Sequence, residues 1–476
     1  MKELSESLVA VHQDPSLTYS RDDAPRLEQE LRGLLGHLGA DPKRPLATCV
    51  RPGDTVLLKP NLVFDRVSDP RAALTNGWFI KVVCDLALEA LGGRGRVVIA
   101  DVALQSADFG QVVGQNGLGE IVSAYRSAGA PVELLDLRKE WLEVGRDGIH
   151  RGLHTLPGDP LGYCLVNLAR ASELEDLGQY RSRFAVGDYD QDTTAKYHMS
   201  SERNEYLIPR TVLSADAVIN LPKFKTHKKT GITCALKNLV GTCGHKSYLP
   251  HFREGLPRDG GDEFAIDHAI KEIQRNTIDR LKRTNALLYR TVRALGRVIL
   301  RIATGNHPSD LRNVMAGSWF GNDTLWRTIL DLNKIVRYAD KEGNLQPTPQ
   351  RRYLCIVDGI YGGEGDGPIL PSVRHDGVLI AGRNPVLIDL IVCLLMGIEP
   401  QDIPQVYRAF DIRDYPLVEG EYELWRRGIT TFVESTSWPL PNLRYRLAEG
   451  WEGHVRRREI GLDEQATNDA SSEMRK

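Results

Sequence analysis

TVLLKPNLV (Thr55–Val63), NGWFIKVVCDLALEALGG (Asn76–Gly93), RVVIAD (Arg96–Asp101), LGEIVSAYRSAG (Leu118–Gly129) and VELLD (Val132–Asp136) follow one another with few residues between them. The short apolar runs Thr55–Leu58, Val97–Ala100 and Val132–Leu135 predict strands, the first set off by the turn residues Pro52-Gly53-Asp54. Between them, Phe79–Leu91 reads as a helix capped by Thr75 or Asn76 and stopped by Gly92-Gly93. Leu118–Ala128 reads as a second helix, stopped by Gly129. Strand, helix, strand, helix, strand predicts a parallel sheet with right-handed crossovers.

Outward from this unit the pattern breaks and returns. Residues 1–50 are polar and read as an N-terminal helical extension, with a surface helix over Glu28–Leu38. The rhythm is lost over about 137–205, rich in Gly, Asp, Arg and Tyr, and returns at the strand Ala217–Asn220. A long helical stretch covers about Phe264–Ala303 within a second insertion, about 264–320. A helix from Asp323 to about Tyr338, strands Tyr353–Val357 and Val378–Ala381, and a buried helix Pro385–Met396 complete the unit. The expectation is an α/β fold: a mostly parallel sheet flanked by helices, two-lobed, with an inserted irregular lobe and a long basic helix. The α/β domain would span 51–400, and 401–476 would be a C-terminal extension ending in a disordered tail.

Composition excludes several classes. With 41% hydrophobic and 26% charged residues and a net charge of -2, the 476-residue chain has material for a core but no global basic field for nucleic acid. The N-terminal stretch does not read as a secretory signal, and no apolar run reaches the roughly 18 residues a membrane span needs. Seven cysteines without a C-x-x-C argue for a reducing, cytoplasmic setting and against an intrinsic iron–sulfur motif. Cys234 and Cys243 flank the richest polar segment.

The predicted strands run into polar groups: Lys59 and Asn61, Asp101, Asn220 and Lys223, and Asp358. In open α/β sheets ligands bind beyond the carboxyl ends of the strands, so these residues are expected to share one rim. From Lys223 to Lys237 five lysines (Lys223, Lys225, Lys228, Lys229, Lys237) and His227 fall within fifteen residues, followed by Asn238. Such a cluster holds a carboxylate or phosphate by charge-assisted hydrogen bonds. Thr230-Gly231 is placed at the start of a helix whose N-terminus adds to that field. Lys237, set among Ala235, Leu236, Leu239 and Val240, is a candidate base or nucleophile of lowered pKa.

Three further segments add candidates. His245, Lys246, His251 and Arg253 sit on a glycine-flanked loop suited to clamping a substrate. Asp358, Glu364 and Asp366 lie on a glycine-rich acidic loop and, with Asp101, are candidate ligands for a divalent cation. Asn322 and Arg327 are weaker substrate contacts, and Asp323 reads as a helix cap. The stretch 271–301 carries nine Lys or Arg against Glu272 and Asp279, a face for an anionic membrane surface or solvent.

With these motifs together, the chain resembles a bacterial family known as domain of unknown function 362 (DUF362). VLLKPNLV, IADVALQSADF, ADAVINLPKFKTHKKTGITCALKNLVG, GNDTLWRTILDLN, VDGIYGGEGDGP and GVLIAGRNPVLIDLI carry the resemblance, from about 54 to 400. His227, Gly231 and Lys237 also repeat a spacing of the nickel-pincer lactate racemase family, where the histidine and lysine serve the cofactor and substrate site. Its run of glycines before the lysine is here Ile232–Leu236, and its His-Thr-Arg-Pro motif has no counterpart.

Three functions follow as expectations. The first is an enzyme doing acid–base or isomerase-type chemistry on a small carboxylated, phosphorylated or nucleotide-linked anion, with His227, Lys237 and Asp358 catalytic. The second is a Mg-dependent phosphoryl-transfer or ligase-type enzyme with the carboxylates on the metal. The third is a non-catalytic protein binding anions or a membrane surface through 271–301. A cofactor, if any, would be a divalent metal, Mg or Ni.

Overall fold

The computed structural model describes residues 7–145, 150–187, 194–265, 316–435 and 440–457. The basic stretch 271–301, most of the expected insertion 264–320 and the end of the tail lie outside the described residues. Ten strands make the main sheet: β1 Val9–Gln13, β2 Thr55–Pro60, β3 Arg96–Asp101, β4 Val132–Asp136, β5 Ala217–Leu221, β6 Lys223–His227, β7 Gly231–Thr233, β8 Arg352–Asp366, β9 Leu370–Gly382 and β10 Val433–Ser435. Their order is β10-β1-β9-β8-β5-β2-β3-β4, with β6 branching from β8 and carrying β7. The run β8-β5-β2-β3-β4 is parallel, while β9 turns back antiparallel on β8 and pairs with β1. This is a mixed, mostly parallel α/β sheet, as the sequence pattern predicts.

Six helices are used below: α1 Ala24–His37, α2 Gly77–Leu91, α3 Leu118–Ser127, α4 Ala235–Asn238, α5 Leu325–Tyr338 and α6 Pro385–Met396. Side chains alternate across a strand, and the two faces of the sheet carry separate cores. Val56, Leu58, Ile99 and Ile219 face α1, α2 and α3. Leu57, Val98, Val218 and Val357 face α5 and α6. The helix starts and stops come from local chemistry. Asn76 caps α2 by accepting from the Trp78 N–H, and Gly92 closes it at φ 57°.

The structure departs from the sequence expectations in five places. Residues 1–50 are no appendage, because β1 lies inside the main sheet between β9 and β10. The C-terminal stretch likewise supplies β10 and the buried Tyr445 and Trp451. Strands of five and three residues leave little periodic signal in the sequence. The irregular lobe at 137–205 contains antiparallel pairs, Glu140–Val144 with His150–Thr155 and Tyr163–Asn167 with Glu205–Pro209. The acidic glycine-rich stretch from Asp358 is strand β8, not a loop. Its glycines serve close packing: a Cβ at Gly362 would meet Tyr445 Oη at 1.8 Å, and one at Gly363 would meet the Ala72 carbonyl at 2.6 Å. Finally, Thr230-Gly231 opens strand β7, and the helix after it is the single turn α4.

Asp389, on α6, fixes α4. Its carboxylate accepts the N–H groups of Ala235 (2.7 Å) and Leu236 (3.0 Å). Burial pushes its pKa up to about 7, against the pull of those two donors. The folded pKa lies above the ordinary 3.8, so its contribution to stability is fully present below about pH 4 and is lost as pH rises through about 7. Asp389→Ala orphans two buried N–H groups and is expected to cost about 3 kcal/mol in urea unfolding at pH 6; a loss under about 1 kcal/mol would contradict this role.

Candidate functional site

The carboxyl ends of β2, β3 and β5 bring the first site residues together. Lys59 ends β2, almost fully buried, with its Nζ 2.5 Å from Asp101 Oδ1 at the end of β3. Asp101 is held in turn by the N–H groups of Leu62 (2.6 Å) and Val102 (2.8 Å). Gly241 packs directly on this ion pair, where a Cβ would sit 2.2 Å from Asp101 Oδ1 and 2.7 Å from Lys59 Nζ. Asn61, Asn238 and Asn220 form a buried chain. Lys225 Nζ donates to Asn61 Oδ1 (3.1 Å), Asn61 Nδ2 to Asn238 Oδ1 (3.0 Å), Asn238 Nδ2 to Asn220 Oδ1 (2.7 Å) and Asn220 Nδ2 to Tyr353 Oη (2.8 Å).

Over this floor lies a cleft of about 180 Å³. Lys59, Lys228, Lys229, Lys237 and Lys246 line it, with Asp101 as the one carboxylate among the described residues of the wall. Like that of Lys246, the Lys237 Nζ makes no hydrogen bond or ion pair among the described residues. Burial and the nearby Lys246, Lys229 and Lys59 push its pKa down to about 7. Lys225, beneath the cleft, donates to the Ala73 and Pro368 carbonyls and has no carboxylate partner among the described residues; burial and Lys237 hold its pKa well below the ordinary lysine range. Lys229 is anchored on the Ala316 carbonyl.

The two histidines on the wall have opposite tautomers. A backbone N–H can only donate, so the Lys229 N–H on His227 Nδ1 (3.1 Å) leaves the ring proton on Nε2. A carbonyl can only accept, so His251 Nδ1 carries a proton to the Leu249 oxygen (2.8 Å) and Nε2 keeps its lone pair. Burial and the surrounding lysines hold both pKa values well below the ordinary histidine range. His227 is therefore a neutral hydrogen-bond donor and His251 a neutral acceptor. Asn322 Nδ2 holds the His251 backbone carbonyl (2.9 Å). Thr233 also lines the cleft, and its hydroxyl is buried with no partner.

Other candidates lie elsewhere. Asp358 and Lys223 form a fully buried ion pair (3.0 Å), with Asp358 also taking the Tyr19 hydroxyl and the Asn76 N–H. Neither is on the cleft wall. His245 accepts the Ser247 N–H at Nδ1 and pairs with Glu140. Arg253 is tied to Asp262 and Asp323, and Arg327 to Asp323 and the Glu173 carbonyl. Glu364 pairs with Arg374, and Asp366 interacts with Lys228. Among the described residues, Asp101, Asp358, Glu364 and Asp366 form no cluster able to ligate a cation; the one such group is His12, Asp14 and Glu30, on and beside β1 and α1. The four carboxylates expected to share a divalent metal are thus not brought together. Burial raises the Cys234 thiol far above its usual range and the Cys243 thiol to about 11, so both stay protonated at neutral pH.

Comparison with known proteins bears on this same region. Residues 166–394 match the profile of DUF362, a domain of unknown function. The DUF362 match covers β5 to most of α6 and so includes Lys237, His227, His251 and Thr233, whereas Lys59 and Asp101 come from before it. No curated protein matches the chain. A crystal structure of a protein from Thermotoga maritima, from the Northeast Structural Genomics Consortium, aligns at 10% identity and a TM-score of 0.30, over 74% of this chain and 54% of that one. The chain thus spans about half the length of that protein. Among the described residues no helix is long and apolar enough to cross a membrane.

The sequence pattern missed Thr233 as a cleft residue and Gly241 as a point of close approach. A threonine two residues past a glycine in a lysine-rich run is the only trace of the first. Gly241→Ala is expected to displace the Lys59–Asp101 pair and lower stability by about 1–3 kcal/mol in urea unfolding; an unchanged midpoint would contradict the contact distances.

Proposed function

We propose that the cleft is the active site of an enzyme that moves a proton on a small anionic substrate, a carboxylate or a phosphate ester. The observation that carries this reading is Lys237: an unpaired amine, pushed down to about 7, in a cleft lined by other cations. A lysine in that state is a base at neutral pH, while its charged neighbours attract the substrate's anionic group. His251 Nε2 offers a second lone pair on the same wall. Two bases on one cleft suit isomerase-type chemistry, in which one removes a proton and the other, once protonated, returns one. His227 Nε2–H and the Thr233 hydroxyl are donors for an oxyanion that develops as the proton leaves.

The cleft volume fits a molecule of few heavy atoms better than a nucleotide-linked one. The meeting of His227 and Lys237 here accords with the spacing shared with the lactate racemases and adds to the isomerase reading. Seven unpaired, buried cysteines accord with an enzyme of the reducing cytoplasm.

Two measurements test the reading. Sulfate, which does not titrate near pH 8, should raise the Lys237 pKa on binding, so the protein takes up a proton. Calorimetry at pH 8 in buffers of different ionisation enthalpy should show uptake approaching about one proton per sulfate, and none in Lys237→Met. Uptake that persists in that variant would assign the proton elsewhere. In D₂O, wild-type protein should exchange the C–H proton beside the carboxylate in at least one of a panel of small 2-hydroxy and 2-oxo acids, read by NMR. Lys237→Met should slow that exchange by roughly 10²–10⁴-fold; exchange at the wild-type rate in the folded variant would remove Lys237 as the base.

A further inference from the structure

A second, larger cavity of about 440 Å³ opens at the opposite, amino-terminal edge of the parallel strands. Its wall takes arginines from five places: Arg51 before β2, Arg337 in the last turn of α5, Arg351 just before β8, Arg352 at its start and Arg383 just after β9. The topology makes them meet. β9 runs antiparallel to β8, so its end, Gly382, lies opposite Cys355 and delivers Arg383 to the edge where β8 begins. Asp216, the one acid of that wall among the described residues, is engaged by the Thr55 N–H (2.9 Å).

The two central arginines have hydrogen-bonding capacity that the protein leaves unused. Arg352 Nη2 pairs with Asp54 (2.7 Å), but its Nη1 is buried without a partner. Arg351 is 7% exposed and spends its Nη groups on three carbonyls, Val336, Ala339 and Leu213. It has no carboxylate partner, and its Nε is also buried and unpartnered. A buried donor without an acceptor costs roughly 1–3 kcal/mol, and two such donors belong to arginines of this one wall, where they add to its unbalanced positive charge. Guanidinium groups bind oxyanions in planar, bidentate fashion, and five of them exceed what one inorganic anion can engage. Leu239, Val336, Pro385 and Leu417 add an apolar flank for a ligand body.

We infer that this cavity is a second binding site, for a small ligand carrying two or more oxyanion groups, phosphate or carboxylate, distinct from the lysine cleft. The lysine cleft takes its wall from the carboxyl ends of the strands; the arginine cavity takes its wall from their amino ends, and no residue lines both.

The test is calorimetric titration of the full chain with inorganic pyrophosphate and, separately, citrate, the two arms separating a phosphate from a carboxylate ligand. A cleft variant, Lys237→Met with Lys246→Met, should retain tight binding of at least one probe. The cavity variant, Arg337→Ala with Arg383→Ala, should bind that probe at least tenfold more weakly. Arg51 is exposed, so Arg51→Glu leaves packing alone and should by itself weaken binding roughly tenfold through reversed charge. Loss of binding in the cleft variant, undiminished binding in Arg51→Glu, or no binding of either probe to wild-type protein would each overturn the inference. Because the cleft variant keeps the arginines intact, failure of the active-site reading leaves this result unchanged.

Discussion

Five lysines and one carboxylate line one small cleft, where burial and mutual repulsion both act against every amine being charged. The ion pair of Lys59 and Asp101 accounts for one charge, and it is fixed by two backbone N–H groups at the ends of β2 and β3. Burial, and with it repulsion from the nearby Lys246, Lys229 and Lys59, pushes the Lys237 pKa down to about 7. Burial and the same lysines hold the His227 and His251 pKa values well below the ordinary histidine range. The cleft thus combines burial with an excess of positive charge, which an anion would relieve.

The fold supplies that imbalance and limits it. Parallel strands end side by side, and their carboxyl ends deliver Lys59, Asp101 and Asn220 to one edge. β6 and β7 then carry the lysine-rich segment over that edge, and α4, locked to α6 by Asp389, sets Lys237 and Asn238 above it. The asparagine chain from Lys225 to Tyr353 satisfies the buried amides beneath the cleft without adding a charge that would neutralise the lysines. Tyr353, at its far end, lies on the wall of the arginine cavity, so one hydrogen-bonded line crosses the sheet from one cationic cavity to the other.

Much of this was legible in the sequence. The alternation of strands and helices from Thr55 to Asp136 points to the parallel core, the polar residues at strand ends point to Lys59, Asn61 and Asp101, and the lysine-rich segment points to His227, Lys237 and Asn238. What was not legible depended on partners distant in sequence. Asp358 and Lys223 read as rim residues, but each meets the other and Tyr19 inside the sheet, a contact spanning 339 residues. The glycines of β8 read as a loop because their packing partners, Tyr445 and Ala72, come from far along the chain. The histidine roles were also hidden: a tautomer is set by whether an N–H or a carbonyl faces Nδ1, which no spacing records. The consecutive Arg351 and Arg352 gave no hint of a cavity, because the other three arginines approach from elements remote in sequence.

The charge state of Lys237 decides whether the cleft can act as proposed. Its Nζ titration can be followed by NMR on protein with isotopically labelled lysine, assigned by the loss of one signal in Lys237→Met. The expected midpoint lies near pH 7, several units below a solvated lysine, and moves upward when sulfate is added. A midpoint near 10, insensitive to sulfate, would contradict this and leave the cleft as a solvated patch of charge.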